Sequence, residues 1–220
     1  MKNVSDMLVM MLIAVLFLMG CEKDAVDSNN NSGDGSCFPT LTDSRDGEIY
    51  QIVSIGNQCW MAENLRYNAP GSLLNTNNPS FSYGRHYNWA ILMNGATSSS
   101  SNPSGVQGIC PSGWHVPSAN EWTILVSAIV GNAVGNAMSS TTGWSNNANG
   151  SNSSGFNAFP AGTYYSNFNE NNQLGDKAHF WSSTEETNIV AYSRYLDNGA
   201  TINQINSHKD FHHSCRCVKN

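Results

Sequence analysis

The stretch Gly108–Val130, GICPSGWHVPSANEWTILVSAIV, decides the fold because it joins a cysteine, two prolines and the best-marked helix of the chain. Ser118 with Glu121 three residues later has the spacing of a capping box, in which both side chains bond to backbone amides at a helix start. Apolar residues then recur at helical spacing and predict one buried face: Trp122, Leu125, Val126, Ile129 and Val130. Gly131-Asn132 predicts the end of the helix.

The segment before this helix is constrained by proline. Pro117 biases Val116 toward an extended conformation, so we predict that Trp114–Val116 is a short strand or an extended strap that leads directly into the helix. Glu121 could instead be a general acid or a ligand. The three-residue spacing from Ser118 favours the capping interpretation.

The polarity of this chain comes from uncharged side chains. Asn (30), Ser (29) and Gly (19) are abundant, whereas charged residues make up 12% of the chain, against about 25% in typical soluble domains. The 22 aromatic residues supply enough apolar area for the core of one domain, which argues against disorder. The net charge of −6 offers no basic surface, so we expect no nucleic-acid partner.

The N-terminus has the pattern of a lipoprotein signal peptide over residues 1–20. Met7–Met19 is an unbroken apolar run of 13 residues, short of the ~20 residues that a membrane span needs. Leu18-Met19-Gly20-Cys21 resembles a bacterial lipobox, which predicts lipidation of Cys21 and anchoring to the outer membrane or cell surface. A cleaved secretory signal and an uncleaved anchor are the alternatives. Residues 21–36 lack apolar periodicity and predict a flexible tether before a domain at 37–220.

Five further cysteines are expected to form disulfides beyond the inner membrane. Cys215 and Cys217 lie two residues apart, so on a strand they share a face and either could pair with Cys110. We favour the pairs Cys110–Cys217 and Cys37–Cys59, which leaves Cys215 free. A bond from Cys110 to the C-terminal strand closes a loop of about 100 residues, which adds roughly 4–5 kcal/mol in the chain-entropy model.

Alternating apolar segments predict a sheet. Glu48–Ile55 and Gln58–Ala62 flank the turn signal Gly56-Asn57 and predict a hairpin. Four further segments are predicted to be strands: Ala178–Ser183, Ala191–Leu196, Thr201–Asn206 and Ser214–Val218. Loops rich in Asn, Ser and Gly separate these elements and predict a loop-rich domain.

Six segments resemble, in order, the Fibrobacter succinogenes major paralogous domain: DGEIYQIVSIGNQCWMAENL, YGRHYNW, CPSGWHVPSANEW, NSSGFNAFPAG, FWSSTE and CRCVKN. Together they span residues 46–220, and Cys215 stands where the family pattern has an apolar residue. The resemblance implies a secreted or lipid-anchored bacterial protein and no particular reaction. A weaker likeness, carried by the segment VPSANEW, is to the sulfatase-modifying and C-type-lectin-like folds.

The expected fold class is α+β. It is a single disulfide-stapled, loop-rich domain with a mixed or antiparallel sheet and one main helix at about 118–130, of C-type-lectin-like type.

Metal ligands are present at one suggestive spacing. His208, Asp210 and His212 alternate at period two, so on a strand their side chains share one face, which suits Zn²⁺ or Cu²⁺. A solvated hairpin tip with Phe211 facing inward explains the same pattern, and we expect neither a metal nor another cofactor. His115 and His179 each lie beside a tryptophan and are expected to be packed or hydrogen-bonded rather than catalytic.

Aromatic residues near Asn-rich loops are the candidate ligand contacts. Sugar binding uses aromatic faces for stacking and amides for hydrogen bonds to hydroxyls. The candidates are Tyr83, Tyr87, Tyr164, Tyr165 and Trp181, with Phe168 nearby. The alternative is that most of these rings fill the core.

The sequence therefore favours a lipid-anchored envelope protein that binds or adheres, with a glycan or a protein as ligand and without catalysis. Two alternatives remain. One is a metal- or carboxylate-dependent hydrolase, for which Glu63, Glu185 and Glu186 are the candidate carboxylates. The other is a structural envelope protein without a small-molecule site.

Overall fold

The computed structural model describes residues 37–74, 83–131, 133–165, 170–197 and 201–220. The predicted signal peptide (1–20), Cys21 and the tether (21–36) lie outside these ranges, as does Phe168. The described residues belong to one compact unit, Asp34–Asn220. Within these ranges no helix has both the length and the hydropathy that a bilayer crossing requires.

In the described ranges the regular structure consists of short strands, three α-helices and a 3-10 helix at Ser145–Asn147. The strands are β1 (Thr40–Thr42), β2 (Ile49–Ile55), β3 (Gln58–Met61), β4 (Leu73–Leu74), β5 (Arg85–Tyr87), β6 (Trp114–His115), β7 (Thr163–Tyr165), β8 (Glu170–Asn172), β9 (Ala178–Glu185), β10 (Val190–Leu196), β11 (Ile202–His208), β12 (His213–Ser214) and β13 (Val218–Lys219). The helices are α1 (Trp89–Met93), α2 (Ala119–Ala128) and α3 (Val134–Met138). The α+β class predicted from the sequence is confirmed.

The strands form two sheets and a small ribbon. The first sheet has the order β1-β2-β3-β13-β6, so the C-terminal strand lies between the β2–β3 hairpin and the strand that leads into α2. The second has the order β11-β10-β9-β12-β5-β4. It is mixed, because β12 pairs with β9 in parallel and the other pairings are antiparallel. β7 and β8 pair with each other.

Helix α2 begins at the predicted capping box. Ser118 Oγ accepts from the Glu121 amide at 3.2 Å, and Glu121 Oε2 accepts from the Ser118 amide at 2.9 Å. The buried face is shorter than predicted, because the helix ends at Ala128 and Ile129 has extended backbone angles (φ −85°, ψ 113°). The helical period stops there, so Val130 is 97% exposed and its predicted place on the buried face is wrong.

Aromatic rings from four separate segments of the chain form the centre of one core cluster. The ring centroids of Trp60 and Trp122 lie 4.7 Å apart, and Phe156 and Phe180 pack against Trp122 at 5.8 and 5.5 Å. The Trp122 indole N–H is satisfied by the Trp181 carbonyl at 3.1 Å. The apolar face of α2 is thereby fixed to both sheets.

Two disulfides join the pairs favoured from the sequence. Cys37 bonds to Cys59, and Cys110 bonds to Cys217 across 107 residues. Cys215 is a free, buried cysteine whose sulfur lies 3.8 Å from that of Cys217. Burial raises the pKa of the Cys215 thiol to about 12, so the thiol is protonated at neutral pH.

Arg216, between the two C-terminal cysteines, is completely buried. No carboxylate of the described residues bonds to its guanidinium. It instead donates to four oxygens, at distances of 2.6–3.0 Å: Asn64 Oδ1 and the carbonyls of Met61, Phe156 and Asn157. Its Cζ atom also lies 4.5 Å from the centre of the Phe156 ring. The Arg216 side chain therefore links the end of the β2–β3 hairpin to the segment between α3 and β7 that contains Phe156 and Asn157.

Candidate functional site

Two predicted candidate segments are neighbours in space. One contains Tyr164 and Tyr165, and the other runs from His208 to His212, so 43 positions separate Tyr165 from His208 in the sequence. The backbones of Tyr164 and His212 exchange both hydrogen bonds, at 3.0 and 2.9 Å. Beside them the rings of Tyr165 and Phe211 meet edge to face with centroids 4.8 Å apart. The turn after β11 thus stands against β7, and the predicted aromatic and histidine candidates form one surface.

We call this surface the aromatic patch and define it by Tyr164, Tyr165, His208, Asp210 and Phe211. The three aromatic residues are half-buried. The side chains of His208 and Asp210 are 37% and 66% exposed, and the His208 Nδ1 atom lies 3.4 Å from the Asp210 carboxylate. The patch therefore offers ring surface to solvent, with hydrogen-bonding groups at its edge.

The turn that carries half of the patch is held by Lys209. Its ammonium group bonds to Glu185 at 2.6 Å and lies 4.2 Å from the centre of the Trp89 ring. The Lys209 carbonyl accepts from the Trp89 amide at 2.9 Å. These contacts attach the turn to β9 and α1. The segment that contains His208, Asp210 and Phe211 is therefore held in place by the rest of the fold.

A layer of histidines lies behind the patch. We call it the histidine cluster: His86 on β5, His179 on β9, His212, and His213 on β12. All four are at least nine-tenths buried. The rings of His179 and His213 stack with centroids 4.9 Å apart, and His213 lies 4.3 Å from Trp181. The ring of His212 meets Tyr164 of the patch edge-on at 5.4 Å.

Each of these histidines has one ring nitrogen without a hydrogen-bond partner in the described structure: Nδ1 of His86, His179 and His212, and Nε2 of His213. Burial lowers the pKa of His86 to about 4 and that of His179 to about 3. Burial also lowers the pKa of His212, and it holds that of His213 well below its ordinary value, with further repulsion from the neighbouring histidines. The cluster is therefore neutral at pH 7.

The predicted metal ligands do not converge. His208 and Asp210 face solvent, whereas His212 turns into the buried cluster. In the part of the chain that the structure describes, the one set of three metal-ligand atoms within 4.8 Å of one another is the sulfurs of Cys110, Cys215 and Cys217. Two of those sulfurs are joined in a disulfide. The solvated tip predicted for this segment is correct for His208 and Asp210 but wrong for His212.

Three of the predicted ligand contacts belong to the interior. Tyr87 and Trp181 have no exposed surface, and Tyr83 is 8% exposed. The Trp181 indole N–H donates to the Tyr87 carbonyl at 2.7 Å, so this bond links β9 to β5, which lie on either side of β12. A ring without solvent-facing surface cannot stack on a ligand. Of the aromatic candidates, Tyr164 and Tyr165 remain at the surface.

The candidate carboxylates are each engaged separately. Glu63 accepts from Arg66 at 3.3 Å and from the Gln51 amide at 2.6 Å. Glu185 is paired with Lys209, and Glu186 accepts from the side chain of Asn206. None of these contacts places two of the three carboxylates against each other.

Glu121 and His115 have structural partners as well. His115 bonds through Nε2 to Glu121 Oε1 and through Nδ1 to Asn220 Oδ1, both at 2.7 Å. Burial alone would lower the pKa of His115, but the bonds to Glu121 and Asn220 outweigh it and raise that pKa above its ordinary value. The pair connects the last residue of the chain to the start of α2.

An open cleft of about 560 Å³ lies between the end of α1 and the serine-rich loop that follows it. Its lining comes from residues within 93–108 and is mostly polar. Two of its serines already bond to β9: Ser98 Oγ accepts from the Glu185 amide, and the Ser99 amide donates to the Ser183 carbonyl. The cleft contains none of the predicted candidate residues.

A family model described as the Fibrobacter succinogenes major domain matches residues 53–219. The chain belongs to this family. The matched range runs from within β2 to β13 and contains every residue of the aromatic patch and of the histidine cluster. No curated protein and no solved structure matches the chain.

Three buried residues were not among the site residues predicted from the sequence: His86, His213 and Arg216. His86 lies in the quoted segment YGRHYNW, Arg216 lies in CRCVKN, and His213 lies two residues before CRCVKN. In the sequence Arg216 stands between two cysteines and His86 precedes Tyr87, whereas His213 stands between His212 and Ser214. These surroundings indicate burial only when the neighbouring strands are known.

Proposed function

We propose that this protein is a binding module of the cell envelope that recognises glycans through the aromatic patch. The observation that carries the proposal is the pair of half-buried rings, Tyr165 and Phe211, set beside the exposed His208–Asp210 pair. Such rings stack on the apolar face of a sugar, while an imidazole and a carboxylate bond to its hydroxyls. A stable protein–protein interface buries about 800 Å² on each partner. Because the patch consists of five residues, its small size favours a saccharide over a protein as the ligand.

Replacing both Tyr165 and Phe211 with alanine should lower glycan affinity at least tenfold, because the variant removes both stacking surfaces. The full chain in detergent would be applied to a glycan array, and each hit would be titrated calorimetrically. Tyr192→Ala, a change at a half-buried tyrosine of β10 outside the patch, is the matched control and should keep the affinity. A blank array, or equal binding by the double variant, contradicts the proposal.

We also propose that Cys21 carries palmitate or a similar acyl group and holds the protein at the outer membrane or cell surface. The apolar run that ends in Leu18-Met19-Gly20-Cys21 supports this. Cells grown with an alkyne-tagged fatty acid should label the wild-type protein and the Cys215→Ser variant but not Cys21→Ala. Labelling that survives Cys21→Ala contradicts the anchor. Protease treatment of intact cells then distinguishes the external from the periplasmic face.

The module is proposed to bind without turnover, and the separate partners of Glu63, Glu185 and Glu186 support this. The finer fold assignment, a C-type-lectin-like domain, is part of the same proposal. It is supported by the return of β13 to a position between β3 and β6, where the Cys110–Cys217 disulfide ties it down. An experimental structure that fails to superpose on lectin domains contradicts it.

A further inference from the structure

Hydrogen bonds in the histidine cluster determine which ring nitrogen carries the proton in His213 and in His179. The Thr163 hydroxyl donates to the His212 carbonyl at 3.1 Å. Its oxygen therefore accepts from His213 Nδ1 at 2.8 Å. His213 Nε2 is then the unprotonated nitrogen, and it has no partner in the described ranges.

The stacked neighbour, His179, has the same arrangement with its nitrogens exchanged. Its Nε2–H donates to Gln173 Oε1 at 2.8 Å, which leaves Nδ1 as the unprotonated nitrogen. Nδ1 also lacks a hydrogen-bond partner among the described residues. In both rings, the nitrogen that would take up a proton faces no acceptor in this part of the chain.

The groups around the cluster offer little compensation for a positive charge. Lys177 opposes protonation of His179, and its ammonium group lies 4.5 Å from the Tyr195 ring that stacks on His179. The remaining neighbours are the other histidines, the rings of Trp181 and Tyr164, and the backbone groups of Gly71 and Asp210, which favour the protonated form of His212. Among the described residues, Asp210 is the carboxylate that acts on the cluster, and it acts on His212 at the solvent side. Protonation would therefore bury a charge together with an unsatisfied N–H donor.

The residues that would be protonated are also the ones that hold β7. Its bonds to the rest of the fold include the Tyr164–His212 backbone pair and the Thr163 bonds to the His212 carbonyl and the His213 ring. Behind β8, Gln173 is held by His179. We propose that the histidine cluster is an acid-sensitive latch that holds β7 against β12 at neutral pH and releases it as the medium acidifies.

The direction of the effect follows from the difference in proton binding. A released histidine titrates near pH 6.5, whereas burial keeps the pKa of His179 at about 3 and that of His86 at about 4. Between these values the released state binds more protons, so the stability of the latch is full above pH 6.5 and falls below it. His115 acts in the opposite direction. Its pKa is raised, so its contribution is present below pH 6.5 and is lost as pH rises through that pKa.

Release would take the aromatic patch apart, because Tyr164 and Tyr165 lie on β7. That consequence rests on the proposed function. The release itself does not, and it is measured without any ligand. A protein that binds no glycan but shows the release would contradict only the proposed function.

The test is hydrogen exchange of the full chain at pH 7.5 and pH 5.0, corrected for the intrinsic rate at each pH. Protection of the Tyr164 and His212 amides should fall at least tenfold on acidification, while β2 and β3 stay protected. His213→Asn and His179→Gln each keep the observed N–H donor and remove the titration of that side chain. Because His86 and His212 still titrate, the double variant should lose most, but not all, of the acid response. His208→Gln, at an exposed position on β11, is the control and should retain it.

Two results would overturn the latch. One is unchanged protection of β7 at pH 5.0 in the wild-type chain, and the other is an acid response in the double variant equal to that of wild type. If the double variant does not fold, the wild-type pattern decides. Loss confined to β7 and β12 supports the latch, whereas simultaneous loss in β2 and β3 identifies global unfolding and contradicts it.

Discussion

Arg216→Met should lower the free energy of unfolding by about 3–5 kcal/mol, because it leaves several buried acceptors without a donor. The guanidinium donates to four oxygens, and its side chain has no exposed surface. Removing the charge relieves a desolvation penalty, and burial does lower the pKa of Arg216 to about 9. The loss is nevertheless expected to win, because each unsatisfied acceptor costs about 1–3 kcal/mol.

Chemical denaturation of the wild-type protein and the variants under the same conditions measures this change in the free energy of unfolding. Arg216→Lys should recover part of the loss, because an ammonium group supplies three donors but cannot reproduce the planar fork. Arg194→Met is the matched control. Arg194 is half-buried and bonds to Thr123 Oγ1 at 2.8 Å and to the Ala119 carbonyl at 3.4 Å, so its loss should cost about 1 kcal/mol. Equal destabilisation by both methionine variants would show that the Arg216 network is unimportant.

Replacing Cys110 and Cys217 together with alanine should cost roughly 5 kcal/mol, since their disulfide spans 107 residues. The chain-entropy model makes the cost grow with the length of the closed loop, and this loop contains α2 and most of the second sheet. Cys37→Ala with Cys59→Ala is the comparison. That bond spans 22 residues, and its loss should cost roughly 3 kcal/mol.

Both double variants are to be made in a Cys215→Ala background. The Cys215 sulfur lies 3.8 Å from that of Cys217, and a free thiol at that distance could replace a deleted partner of Cys110. Denaturant midpoints and slopes measured side by side give the two costs. If removal of the Cys37–Cys59 disulfide lowers the free energy of unfolding more than removal of Cys110–Cys217, the prediction is wrong. That result would show that contacts of the cysteines in the folded state outweigh the entropy of loop closure.

Features that depend on near neighbours could be predicted from the sequence. The capping box forms because Ser118 and Glu121 lie three residues apart, within reach of each other's amides. The β2–β3 hairpin forms because Gly56 takes the positive φ of 59° that its two-residue turn requires. These interactions close over a few residues, so no knowledge of the fold is needed to place them.

Burial along the second sheet could not be predicted in this way. β9 has seven consecutive buried residues, because both faces of the sheet are covered. The alternation that separates core from surface is therefore absent. Tyr87 and Trp181 were candidate ligand contacts because they are aromatic residues near Asn-rich loops, and tertiary packing placed them in the interior.

The sequence by itself determined the helix start, the first hairpin, the α+β class and the family. Tertiary structure alone decided the aromatic patch, the histidine cluster and the burial of Arg216. The reason is physical: His86, His179 and His213 become neighbours only when β5, β9 and β12 adopt their order in the sheet. The parallel β12–β9 pairing that sets this order is a long-range contact whose sequence signal is two residues long.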